Sequence, residues 1–82
     1  EAMDRIEFAH GITLAEDSYA CGRSIRSLEF DKSRVVLLSL RRDSSENEEP
    51  DLDTILEKDD VLVVRGKPRR VERFERFIQE GG

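Results

Sequence analysis

Eighty-two residues with 14 Lys and Arg against 19 Asp and Glu carry a formal net charge of -5. The basic residues are interleaved with acids, so the net basic face that duplex nucleic acid needs is missing and nucleic acid is not an expected partner. Only 37% of the chain is hydrophobic, with no Trp, so no aromatic platform for stacking bases is evident and one thin core buries about 60–65% of the unfolded surface.

From Ile6 the apolar residues alternate: Ile6, Phe8, Ile12 and Leu14 fall on one face with His10 among them, and Glu7, Ala9, Gly11 and Thr13 lie opposite. This period of two predicts extended structure, with Gly11 as a bulge or bend that splits it into two short strands. Asp17-Ser18 opens a turn. Ser24 is placed to cap a short helix running through Phe30, with Ile25 and Leu28 facing a core.

Val35 to Leu40 is apolar on both faces except at Ser39, which predicts a strand covered on both sides, at the centre of a sheet or at a subunit contact. Arg41 to Glu49 is polar and acidic, a hairpin loop with room for a short return strand before Pro50. Thr54-Ile55-Leu56 reads as a brief helical turn with Ile and Leu tucked inward, and Asp59-Asp60 leads into a second apolar strand that ends at Gly66. Pro68 suits the first turn of a helix, along which Val71, Phe74, Phe77 and Ile78 form one apolar stripe. Glu72 and Arg76 have the spacing of an ion pair on its rim, and Gly81-Gly82 stop it. The expected fold class is α+β: a small, mostly antiparallel sheet of about four strands with two helices, and no internal repeat.

No constellation for catalysis or metal binding stands out. The single His10 and single Cys21 lack the further ligands a metal needs and the orienting group and oxyanion site a nucleophile needs. Cys21 cannot form an internal disulfide and points to a reducing compartment. The acidic run Glu46, Glu48, Glu49, Asp51 and Asp53 lacks the glycine turn of a calcium loop and reads as a solvated loop. Arg65, Lys67, Arg69, Arg70, Arg73 and Arg76 cluster near the end, diluted by Glu72, Glu75 and Glu80. That favours a solvated, salt-bridged face over a surface for anionic lipid or effector. No apolar run approaches the roughly 20 residues of a bilayer span, and nothing at the start reads as a signal peptide.

In order and spacing, Gly22-Arg23-Ser24-Ile25, the Val-rich strand ending in Arg41-Arg42, Pro50-Asp51, Thr54-Ile55-Leu56 and Asp59 to Gly66 resemble the TrkA-C domain, the C-terminal RCK domain that regulates bacterial potassium transport. The resemblance runs from about Thr13 to Gly81, and the closing Gly66-Lys67-Pro68 with its charged helix is most similar to Kef-type monovalent cation:proton antiporters. It departs at Asp59 and near Arg34, where the family commonly has Gly, and in a longer, more acidic Asp43 to Glu49.

The resemblance implies a single regulatory domain over 1–82, excised from a longer membrane transport protein. Such a domain is a ligand-sensing dimerisation module that controls potassium or sodium exchange against protons and is not an enzyme. It would lie on the cytoplasmic side of the inner membrane behind an RCK nucleotide-binding domain and a membrane transporter, without inserting into the membrane itself. Alternatives are the sensor domain of a separate channel or symporter regulatory subunit, or of a transcription regulator. The dimer or ligand surface would be the short helix and central strand, with Ser24, Leu28, Phe30, Arg34, Val36 and Leu38 as candidate residues. Some relatives bind cyclic di-adenosine monophosphate between two copies. Here Asp31 stands in the segment that would face its phosphates with no clear basic pair beside it, which weighs against that ligand, and no other cofactor is expected.

Overall fold

The computed structural model describes residues 8–81; the predicted start of the first strand at Ile6 and Glu7, and Gly82, lie outside them. Strands β1 (Phe8–Thr13), β2 (Val36–Arg42), β3 (Ser45–Asn47) and β4 (Val61–Gly66) form one antiparallel sheet in the order β1-β4-β2-β3. Between β1 and β2 lie a 3-10 turn (Ile25–Leu28) and a single helical turn, α1 (Phe30–Ser33); α2 (Pro68–Glu80) follows β4. The α+β expectation of about four strands and two helices matches this architecture.

The register assigns the two sheet faces. Ile12, Leu62, Val64 and Leu40 point into a core completed by Leu14, Leu28 and Val71, Phe74 and Ile78 of α2. The alternate set, Ala9, Gly11 and Thr13 on β1, Val61, Val63 and Arg65 on β4, and Val36, Ser39 and Arg41 on β2, forms the opposite face. The apolar stripe of α2 is therefore the domain's own core, as its spacing predicts. The helix closes where the Gly81 N–H donates to the Phe77 carbonyl.

Three local expectations are corrected. The irregularity is not at Gly11, where β1 is continuous, but in β2, where the register slips between Leu37 and Ser39 and Leu38 is the extra residue. The helix predicted from Ser24 to Phe30 breaks at Glu29, whose left-handed φ of 56° ends the 3-10 turn and opens α1. Thr54 to Leu56 is extended rather than helical: the N–H groups of Gly22 and Ile25 donate to the Leu56 and Thr54 carbonyls, and Leu56 donates back to Arg23. Pairing between segments thus satisfies the backbone that a local turn would have satisfied. Leu56 is buried, but Ile55 faces solvent. Among the ion pairs of the described residues, Glu72–Arg76 does not close.

Both departures from family glycines adopt the glycine conformation. Arg34 ends α1 at φ 57° and Asp59 turns into β4 at φ 71°. The Cβ of either residue crowds the carbonyl here, but the short carboxylate of Asp can offset this by bonding the local backbone, which Arg cannot do. Arg34→Gly is accordingly expected to stabilise the chain by about 1 kcal/mol, seen as a higher urea midpoint with unchanged slope. Gly66 has a different constraint: a Cβ there would sit 3.3 Å from Val71 Cγ2 and 3.5 Å from Val35 Cγ2, so this glycine lets the base of α2 approach β4 closely.

Candidate functional site

The 3-10 turn and α1 form a ledge over the end of β2, and the loop after Pro50 closes its far side through the Arg26 N–H, which donates to the Leu52 carbonyl at 2.8 Å. Between them lies an open groove of about 390 Å³ lined by Ile25, Phe30, Leu37 and Leu52 with Arg26, Glu29, Asp31 and Lys32. Asp51 Oδ1 accepts from the Asp53 N–H at 2.9 Å, a tight turn that leaves Leu52 45% exposed at the groove's edge. The charges at the rim are mostly paired: Arg26 Nε lies 3.1 Å from Asp53 Oδ1, and Lys32 Nζ 3.3 Å from Glu29 Oε1. Both pairs are exposed and contribute at most about 1 kcal/mol each. Their effect on the site is larger, because they leave Asp31 as the unbalanced charge. The groove therefore suits an apolar partner surface better than a phosphate.

The candidate residues do not all converge on this groove. Phe30 lines it. Ser24 is the N-cap of the 3-10 turn, its Oγ accepting from the Ser27 N–H at 3.3 Å, and it bridges to Ile55. Leu28 is completely buried in the core, so it is not free to meet a second copy. Arg34 is the exposed C-cap of α1, and Leu38 is half-buried at the bulge. Val36 is 47% exposed on the sheet face opposite the core. Arg26 and Leu52 join the groove without being among the sequence candidates, although a leucine flanked by two aspartates in a polar loop is a sign of an apolar side chain held outward.

Elsewhere the titratable groups are structural. Asp60 is 2% exposed and receives Arg42 Nε at 3.0 Å, Arg42 Nη2 at 2.7 Å and the Glu57 N–H at 2.8 Å. This hydrogen bonding holds the Arg42 guanidinium even more firmly protonated than usual. Ser39 Oγ donates to Glu46 Oε2 at 2.6 Å across the β2–β3 hairpin, and with Arg41 nearby it keeps the Glu46 carboxyl below the ordinary glutamate range. His10 meets Glu75 at 3.4 Å, and no three His, Cys, Asp or Glu side chains converge as metal ligands among the described residues. No helix among them is long and apolar enough to cross a membrane.

Among curated proteins, none matches the chain. Solved structures give the fold. The RCK C domain of the potassium transport protein KtrA in complex with cyclic diadenosine monophosphate superposes with a TM-score of 0.79 at 20% identity, over 94% of this chain and 89% of that one. The RCK_C domain dimer of S. agalactiae BusR, also in complex with cyclic diadenosine monophosphate, gives 0.74 at 18% identity over 85% and 93%. S. agalactiae BusR bound to its busAB-promotor DNA gives 0.74 at 18% identity, and there the match spans 35% of the longer protein. The TrkA-C domain family itself matches residues 9–79. Nearly the whole described chain thus falls within one family, and the protein belongs to the TrkA-C domain family.

Proposed function

We propose that this chain is the regulatory dimerisation domain of a Kef-type monovalent cation:proton antiporter, spanning 1–82 of a longer membrane transport protein and lying on the cytoplasmic side of the inner membrane. The family match supports the regulatory role, and the Gly66-Lys67-Pro68 turn into a charged helix supports the antiporter context. The observation that carries dimerisation is the sheet face opposite the core, where Val36 is 47% exposed opposite Arg65, on the same face as the partly exposed Val61 and Val63. Together with the groove at Phe30 and Leu52 it offers a second copy two apolar surfaces on a domain whose own core is thin. Control would follow from contacts that differ between the open and closed transporter.

Light scattering is expected to give a dimer for the chain and a monomer for Val36→Glu, with unchanged far-UV circular dichroism. The matching Leu28→Arg variant is unsuitable, since an unpaired charge in the monomer's own core unfolds it. In the intact transporter Val36→Glu should alter the dependence of cation:proton exchange on conditions while leaving the exchange itself possible. A wild-type chain that stays monomeric at every concentration, or exchange indifferent to Val36→Glu, would overturn this reading. The structural match to BusR bound to promotor DNA favours one alternative, the sensor domain of a transcription regulator. DNA-binding helices encoded upstream would decide for it, and transmembrane spans against it.

A further inference from the structure

A second groove, of about 350 Å³, runs between α1 and α2 on a different side of Glu29 and Lys32 from the first. Its floor is apolar, formed by Leu28, Phe74 and Phe77, and its walls carry Lys32, Arg70, Arg73 and Arg76 against one carboxylate, Glu29. Glu29 is already engaged with Lys32 at 3.3 Å. Arg70, Arg73 and Arg76 have no hydrogen bond or ion pair among the described residues. Of the helix carboxylates that could dilute them, Glu75 reaches instead to His10 at 3.4 Å, and Glu72, which shares a separate recess with Arg69, Arg73 and Arg76, closes no ion pair with them among the described residues. Three uncommitted guanidinium groups thus line one recess of a chain whose net charge is -5.

We infer that this recess between α1 and α2 binds a soluble phosphate ester with a planar organic body, of nucleotide size. The arginines supply forked donors that match phosphate oxygens in pairs, which a point charge does not. The aromatic floor explains why an organic phosphate fits better than a bare anion: Phe77 is half-buried and Phe74 lies beneath it with ring centroids 6.5 Å apart. A flat anionic membrane reaches the arginine tips but not this floor. The site shares no arginine with the apolar groove and does not depend on dimerisation.

The test is calorimetric titration of ADP, pyrophosphate and inorganic phosphate into the chain. ADP and pyrophosphate carry the same number of phosphates, so their difference reports the organic body. ADP is expected to bind saturably and about fivefold or more tighter than pyrophosphate. Arg70→Gln and Arg73→Gln should each weaken ADP about tenfold, and Phe77→Leu should weaken ADP while leaving pyrophosphate unchanged. Val36→Glu should leave ADP binding intact, which separates this site from the dimer reading. Absence of ADP binding at millimolar concentration, full binding in the Arg70→Gln/Arg73→Gln chain, or equal affinity for ADP and pyrophosphate would each overturn the inference. So would binding to phosphatidylglycerol vesicles that depends on these arginines and is not displaced by ADP.

Discussion

Arg42→Ala is expected to cost about 3–5 kcal/mol of folding stability, and Asp60→Ala less, about 1–3 kcal/mol. The asymmetry follows from where the two partners lie. The Asp60 side chain is 2% exposed and the Arg42 side chain 37%. Without Arg42, the carboxylate keeps only the Glu57 N–H as a partner and remains in the interior as an uncompensated charge. Without Asp60, the guanidinium keeps the Ile55 carbonyl at 3.0 Å and Glu57 at 3.5 Å and reaches water. An 82-residue domain has a total stability of about 4–12 kcal/mol, so the first variant loses a large share of it. Urea unfolding of both variants decides the matter. A loss below about 1 kcal/mol for Arg42→Ala would show that the pair behaves as an ordinary surface ion pair, and a greater loss for Asp60→Ala would overturn the asymmetry. The pair also reaches the proposed working surface. Arg42 ends β2, and through Asp60 and Ile55 it anchors the segment whose Leu52 edges the apolar groove.

Much of this fold is legible from short-range pattern. The stripe of α2, the strand ending at Gly66 and the return strand after Arg42 all follow from spacing and local chemistry. What is not legible are features created by distant partners. Strict alternation over Val35 to Leu40 groups Val36, Leu38 and Leu40 on one face. The bulge at Leu38 changes the phase, so that Leu40 joins Leu37 toward the core and Val36 is left outside. Thr54 to Leu56 looks helical alone and becomes extended only because Gly22 to Ile25 lies beside it. The same limit governs the site. The spacing of Leu28 after Ile25 already faces it to a core, which conflicts with its place among the dimer candidates, whereas the exposure of Val36 is set only by the register that leaves it on the opposite sheet face.

Phe74→Ala should cost about 3–5 kcal/mol, the range for deleting a buried aromatic ring. Phe74 is 1% exposed, and its ring packs between α1 and α2. Its ring lies 4.8 Å from that of Phe30 and 6.5 Å from that of Phe77, so it connects α1 to α2 across the cationic recess. The two helical turns before β2 are short and contribute little stability of their own. Their position depends on Leu28 and Phe30 packing against this ring. Phe74→Leu keeps most of the apolar volume and is expected to cost roughly half as much. Hydrogen exchange locates the effect: in Phe74→Leu the amides of Lys32 and Ser33, bonded to the Glu29 carbonyl, should lose protection before those of β4. Uniform loss of protection across the sheet and α1 would mean that Phe74 acts on the core as a whole. Selective loss would identify the ledge carrying Phe30 and Lys32 as the part of the domain that moves, and both grooves share that ledge.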